Sequence, residues 1–317
     1  MNFWNLLLLL FLALLINIDS KAIKPVIAIY GNSDPENDDE SFLNGTYYPI
    51  SYVYWLESLG AEVMALHYWY SYEEIDEILQ KINGVLFLGG SRDIHKEGTW
   101  EKKAKYIMMK SMEYDLPFWG TCQGFQLIGT LLSDNYTLLK QAYDDVNVLH
   151  SLEINKNTRK SKMYRLFTPS EIDLLVHTNS TIYNHHWGFF PNEYHNEQKL
   201  EELTIVTSDS EDHNGTKFVN SYEGKNDKIF AVQFHPEKNP FKRINYNVEQ
   251  NIESLKVSQK LGLNFIELTR RNQNKFLSNI NDEGDRAKYD FFNTYNGTKN
   301  CNYKKEICYF YKQSNNI

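Results

Sequence analysis

Four short, unbroken apolar runs alternate with amphipathic segments through the first half of the chain, and this alternation restricts the fold more than any other sequence feature. Residues 25–30, 63–66, 84–88 and 117–119 are the apolar runs, the second belonging to a strand read as 62–66 that opens on Glu62. A run with no polar face suits a strand buried on both sides, as in a parallel sheet. Between the runs, Tyr52, Trp55, Leu56 and Leu59 recur at helical spacing up to Gly60. Ile75, Ile78, Leu79 and Ile82 repeat that spacing, and residues 100–114 form a further helical stretch with Lys102, Lys103 and Lys105 on its wet side. The order β-α-β-α-β-α-β-α predicts an α/β fold, a mostly parallel central sheet flanked by helices. Ligands in such sheets bind beyond the carboxyl ends of the strands.

The fourth run enters Gly120-Thr121-Cys122-Gln123-Gly124, and a second apolar stretch able to form helix follows. Gly-x-Cys-x-Gly between strand and helix is the thiol version of the nucleophile elbow. The glycines permit the sharp turn. A cysteine at a helix start faces backbone N–H groups and the positive end of the helix dipole, which favour thiolate, the nucleophilic form. Cys122 is therefore the candidate nucleophile.

A thiol nucleophile needs a base and a group that orients the base. His235 follows the apolar run 229–234 and opens His235-Pro236-Glu237. Pro236 has no N–H and ends ladder pairing. Glu237 can accept a hydrogen bond from the ring and fix its tautomer. The oxyanion donors expected are the backbone N–H groups of Gln123 and of the Gly89-Gly90 turn, at Gly90. Zinc sites need paired Cys and His spacings that this chain lacks, and His185-His186 are adjacent residues, poorly placed to ligate together. No phosphate-binding glycine loop is present. No metal or cofactor is expected.

The second half is less regular. Residues 146–154 and 203–207 read as strands, and 216–222 with 229–234 as a hairpin across Gly224-Lys225-Asn226-Asp227. Residues 178–200 read as loop or short helix, and 247–272 as a long amphipathic helix of imperfect period. There is no internal repeat and no Pro-rich linker, so residues 23–317 are expected to form a single domain.

The 317-residue chain carries a net charge of −8, which argues against nucleic acid as its partner. Leu6 to Ile16 is apolar, and Ser20-Lys21-Ala22 supplies small residues at a cleavage spacing, so residues 1–22 are expected to be a signal peptide. The run is shorter than the roughly 20 residues of a membrane span, and no stable anchor is expected after cleavage. Five N-x-Ser/Thr sequons, at Asn44, Asn135, Asn179, Asn214 and Asn296, fit a secretory route and are expected on surface loops. Of the three cysteines, Cys301 and Cys308 lie close together in a Tyr-rich tail. Two readings stand: they pair with each other, or none of the three is bridged.

The Cys elbow with a later His-Pro-Glu resembles the class I glutamine amidotransferase-like superfamily. Over nearly the whole mature chain, the sequence resembles the gamma-glutamyl hydrolase (folylpolyglutamate hydrolase) family of cysteine peptidases. That resemblance rests on Asn44-Gly45-Thr46-Tyr47-Tyr48, Ser51-Tyr52-Val53, Ile82-Asn83-Gly84-Val85-Leu86-Phe87-Leu88-Gly89-Gly90-Ser91, Trp119-Gly120-Thr121-Cys122-Gln123-Gly124-Phe125, His185-His186-Trp187 and Val232-Gln233-Phe234-His235-Pro236-Glu237-Lys238. It implies a flavodoxin-like sheet. It also implies attack by Cys122 on the γ-glutamyl carbonyl of folate or antifolate poly-γ-glutamates, with His235 as base and Glu237 orienting it. His185, Gln126 and Tyr47 are implied as substrate contacts. A homodimer and a lysosomal, vacuolar or extracellular location are implied as well. Carboxylate-rich substrates call for local basic groups, and Arg92, Lys238, Lys242 and Arg243 are the contributors considered. Arg92 stands where the family carries a small or apolar residue, Gln123 where leucine is commoner and Phe234 where tryptophan is commoner. None of these departures removes a catalytic group. Two other functions share the motifs: a glutaminase subunit of an amidotransferase, and a secreted glycoprotein that keeps the fold without turnover.

Overall fold

The computed structural model describes residues 24–33, 45–94, 96–241, 251–274, 297–301 and 306–312. The first half follows the predicted alternation: β1 (Val26–Tyr30), α1 (Ile50–Ser58), β4 (Glu62–Leu66), α2 (Tyr72–Leu79), β5 (Gly84–Phe87), α3 (Thr99–Glu113), β6 (Phe118–Thr121) and α4 (Gln123–Ser133), with β2 (Asn32–Ser33) and β3 (Gly45–Pro49) between β1 and α1. The second half supplies β7 (Lys140–His150), β8 (Glu153–Ile154), α5 (Pro169–His177), β9 (Thr181–Gly188), α6 (Pro191–Asn196), α7 (Gln198–Leu203), β10 (Thr204–Glu211), β11 (Lys217–Gly224), β12 (Ile229–Val232) and α8 (Ile252–Thr269). The tail adds β13 (Gly297–Cys301) and β14 (Glu306–Lys312).

The central sheet has eight strands in the order β4-β1-β5-β6-β12-β11-β10-β8. From β4 to β12 every pairing is parallel, and from β12 outward every pairing is antiparallel. The expected hairpin of β11 and β12 closes the parallel part. Alternate residues of each buried strand feed opposite layers, the period-2 consequence of the pleat. Val26, Ala28 and Tyr30 enter one core with Phe87, Ile107 and Leu127, under α3 and α4. Ile27 and Ile29 enter the other with Trp55, Leu261 and Phe265, under α1 and α8. Both faces of the sheet are thus covered, which is why its parallel strands β1 and β5 lack a polar face.

One segment departs from its sequence expectation, and one that carried no assignment is a strand. Residues 178–200, expected as loop or short helix, contain strand β9, which pairs with β7 in a separate two-stranded ribbon. Its residues Tyr-Asn-His-His-Trp have no apolar alternation because several of them line a cavity rather than a core. Residues 45–49 are also a strand. β3 lies in a second sheet, ordered β13-β14-β3-β2, so its pairing partner is the distant tail. Tyr311 of β14 packs on Tyr48 of β3.

Cys308 is disulfide-bonded and Cys122 is not, as the pairing reading requires of these two. Cys301 stands on β13, antiparallel to the strand of Cys308, and its side chain lies outside the described residues. Asn179 and Asn214 are exposed between strands and helices. Asn135 departs from the surface-loop expectation: it is half-buried, and its Nδ2 donates to Glu197 Oε2 at 3.1 Å. Asn44, Asn296 and the signal segment 1–22 lie outside the described residues. Among the described residues, no helix is long and apolar enough to cross a membrane.

Candidate active site

Strands β6 and β12 are parallel neighbours with Thr121 opposite Val232, so they end side by side. Cys122 is the residue after β6. Its N–H donates to Val232 O at 2.8 Å, and its backbone stands at φ 51°, ψ −106°. A non-glycine residue at such angles is strained and persists only where its surroundings impose it. The cause here is the turn itself, which swings the chain from β6 into α4 within one residue.

The elbow glycines are needed for close approach. A Cβ on Gly124 would lie 2.1 Å from the Phe87 carbonyl oxygen on β5, and one on Gly120 would lie 2.7 Å from the Gly124 carbonyl oxygen. Gly124→Ala must push backbone against backbone. We expect it to lower stability by about 1–3 kcal/mol or more, read as a lower denaturant midpoint. An unchanged midpoint would contradict that packing.

His235 follows β12 by three residues and is anchored by its N–H to Ile182 O on β9 at 2.9 Å. Its Nδ1 donates to Glu237 Oε1 at 2.7 Å, with both groups buried. With Nδ1 so engaged, the other ring nitrogen, Nε2, is left for the Cys122 thiol, which interacts with the ring. Burial alone pushes the imidazole pKa down, but the Glu237 carboxylate and Cys122 outweigh it and raise the pKa above its usual value. Burial likewise pushes the Glu237 carboxyl up, and His235 with Lys238 more than offsets this, so Glu237 is held below its usual range. Lys238 Nζ lies 3.7 Å from Glu237 Oε1 and donates to Ser51 Oγ at 2.8 Å.

A cavity of about 550 Å³ opens beyond the strand ends, and its lining includes Gly90, Arg92, Cys122, Gln123, Gln126 and His185. Gln123 is the first residue of α4, where backbone N–H groups have no intrahelical acceptor. Its side chain runs toward the glycine turn: Nε2 donates to the Arg92 carbonyl, and a Cβ on Gly90 would lie 2.5 Å from its Oε1. Gln126, expected to contact substrate, lines the cavity, but its Nε2 is engaged by Trp187 O at 2.6 Å and Gln233 Oε1 at 3.2 Å. It ties β9 to the elbow helix. His185 and His186 both line the cavity, and His185 is the buried one of the two. Its Nδ1 donates to Trp187 O at 3.0 Å, and burial pushes its pKa down to about 4, while the Asp145 carboxylate, 3.7 Å away, is too distant to hydrogen-bond the ring. A neutral His185 offers a hydrogen bond rather than a charge. His186 is exposed and donates from Nδ1 to Tyr143 O at 3.1 Å. Tyr47 is absent from the lining of this cavity. It stands behind the glycine turn, its hydroxyl accepting from Asn32 Nδ2 at 3.4 Å.

The basic groups also differ from expectation. Lys238 is buried behind Glu237 rather than facing substrate. Arg92 borders the cavity with its Nε 3.3 Å from Glu101 Oε1 and its guanidinium over the Trp100 ring. Lys242 and Arg243 lie outside the described residues. Sequence reasoning missed Tyr52, Asn32 and Asn184. Tyr52 Oη accepts from Gly89 N at 2.8 Å and sits 3.5 Å from His235 Nδ1. The Asn184 carbonyl on β9 is 3.9 Å from the Cys122 sulfur. Tyr52 read as a core position of α1, and nothing local in the sequence distinguishes a core tyrosine from one whose hydroxyl reaches a site.

The family model for glutamine amidotransferase class-I matches residues 47–253, a span that contains the elbow and the His-Pro-Glu. Gamma-glutamyl hydrolase of Mus musculus is 30% identical over 80% of this chain and 80% of its own length. Gamma-glutamyl hydrolase B of Dictyostelium discoideum is 27% identical over 80% of this chain and 74% of its own. Among solved structures, the glutaminase domain of Trypanosoma brucei CTPS with bound acivicin shares the fold at a TM-score of 0.50 and 13% identity, covering 79% of this chain and 95% of that one. With a nucleophile elbow and a His-Glu pair on adjoining strand ends, and this similarity over most of its length, the chain belongs to the class-I glutamine amidotransferase family and, within it, to the gamma-glutamyl hydrolases.

Proposed function

We propose that the protein is a thiol hydrolase that cleaves γ-glutamyl bonds in folate or antifolate poly-γ-glutamates through a Cys122 acyl-enzyme. The observation that carries the reading is the convergence of Cys122 and the His235–Glu237 pair at the ends of adjoining strands. The Cys122 sulfur, its proton taken by His235 Nε2, attacks the γ-carbonyl carbon. A C–S bond forms and the carbonyl becomes an oxyanion, met by the N–H groups of Gln123 and Gly90. Collapse breaks the C–N bond, and His235 returns the proton to the departing amine. Water, deprotonated by the same Nε2, then attacks the thioester, and breaking of the C–S bond frees a γ-carboxylate and restores the enzyme. Glu237 keeps Nδ1 protonated and stabilises the imidazolium that each half-reaction requires. The test is glutamate release from a defined γ-linked pentaglutamate; no release, or equal release by Cys122→Ala, rejects the reading.

The chain enters the secretory pathway and acts in a lysosome, vacuole or the exterior; the apolar leader and the sequons support this. Asn179 and Asn214 are exposed and ready acceptors, whereas a glycan on Asn135 Nδ2 would displace its bond to Glu197. Glycopeptide mapping of protein from a eukaryotic secretory host is expected to find Asn179 and Asn214 occupied and Asn135 bare. Unmodified peptides at all sequons would count against the routing.

A further inference from the structure

Gly89 has both backbone polar groups held by buried side chains. Its N–H donates to Tyr52 Oη at 2.8 Å, and its carbonyl accepts from Asn32 Nδ2 at 3.2 Å. Asn32 and Tyr52 are each 1% exposed. The Asn32 amide end that faces a carbonyl must be its NH₂, since two acceptors cannot bond. The chain contains no cis peptide among the described residues, so the Gly89–Gly90 unit is trans. In a trans unit the C=O and the following N–H point in opposite directions. With the Gly89 carbonyl turned toward Asn32, the Gly90 N–H is turned away from it. Gly90 lines the cavity that Cys122 enters, and among the described residues its N–H donates to no protein group.

The turn is glycine because nothing larger fits. A Cβ on Gly89 would lie 2.7 Å from Tyr52 Oη and 2.9 Å from His235 Cε1, and one on Gly90 would lie 2.0 Å from Asn32 Nδ2. Two glycines in sequence also leave the peptide between them free to rotate, since neither has a Cβ to oppose it. A flipped unit would present the Gly89 carbonyl, an acceptor, to the developing oxyanion. We infer that Asn32 and Tyr52 form a clamp on Gly89 that aims the Gly90 N–H at the reaction centre, making both of them positioning residues for the oxyanion hole. The inference rests on the thiol-hydrolase reading above.

Asn32→Leu keeps the branched heavy-atom outline and removes the donor; Tyr52→Phe removes one hydroxyl. Each variant is assayed for kcat, KM, affinity for a γ-glutamyl aldehyde, and alkylation of Cys122 by iodoacetamide. The aldehyde adds to the thiol to give a hemithioacetal that carries the oxyanion, whereas alkylation develops no oxyanion. In Asn32→Leu, kcat and aldehyde affinity are expected to fall together by about tenfold to a hundredfold, with KM and alkylation rate unchanged. Tyr52→Phe is expected to show the same pattern more weakly, and it decides the matter if Asn32→Leu does not fold. Wild-type kcat and aldehyde affinity in both variants overturn the clamp, as does a loss of alkylation in step with kcat, which marks general damage to the site. A wild-type protein that hydrolyses no γ-glutamyl bond overturns the underlying reading instead.

Discussion

Cys122→Ala is expected to reduce γ-glutamyl hydrolysis on the order of 10⁴- to 10⁶-fold, because members of a catalytic unit act together and removal of the nucleophile ends the covalent route. Alanine keeps the Cβ, and so keeps the backbone strain at φ 51°, ψ −106°. Strain of that kind costs about 1–3 kcal/mol for an L-residue. Cys122→Gly removes the same thiol and also relieves the strain, against a glycine entropy cost of roughly 0.5–1 kcal/mol. Both variants should be inactive, with the glycine variant unfolding at higher denaturant than the alanine variant. Substantial turnover in Cys122→Ala would end the nucleophile assignment. A glycine variant less stable than the alanine variant would show that the elbow's geometry is not a stored strain.

The second large effect is at Glu237. Glu237→Gln preserves shape but replaces a buried carboxylate with a neutral amide 2.7 Å from His235 Nδ1. It removes the larger of the two influences that raise the His235 pKa, leaving burial opposed by Cys122 alone, so the pKa falls. A less basic imidazole takes the thiol proton poorly and its imidazolium is no longer stabilised, and turnover is expected to fall on the order of 10²- to 10⁴-fold. The basic limb of the pH–rate profile should also move to lower pH, since protonated His235 is then lost at lower pH. A profile that keeps its basic limb in place would remove Glu237 from that role.

The same pair links stability to pH. His235 has a raised folded-state pKa, so its contribution is complete below its ordinary value of 6.5 and is lost as pH rises through the folded value. Glu237 has a depressed one, so its contribution is complete above its ordinary value of 4.5 and is lost as pH falls through the folded value. The pair therefore stabilises the fold fully between pH 4.5 and 6.5. The deficit of Glu237→Gln relative to wild type should be greatest in that interval.

The sequence alone determined the parallel half of the sheet, because buried parallel strands need apolar residues on both faces and their helices repeat at 3.6 residues. It also singled out Cys122, His235 and Glu237 as candidates, because a nucleophile elbow requires glycines at fixed offsets and the histidine falls where an apolar strand gives way to proline. Only the tertiary structure showed that β6 and β12 are neighbours, which brings Cys122 and His235, over a hundred positions apart, to adjoining strand ends. It alone turned residues 181–188 into a strand, whose polar and aromatic side chains serve the site and so carry no core periodicity. It also assigned Lys238 to the interior and gave Asn32 and Tyr52 their contacts with Gly89. Periodicity reports which face of an element is buried. It carries no record of which distant backbone a buried hydroxyl or amide will meet, and the hydrogen bonds that aim this site are contacts of that kind.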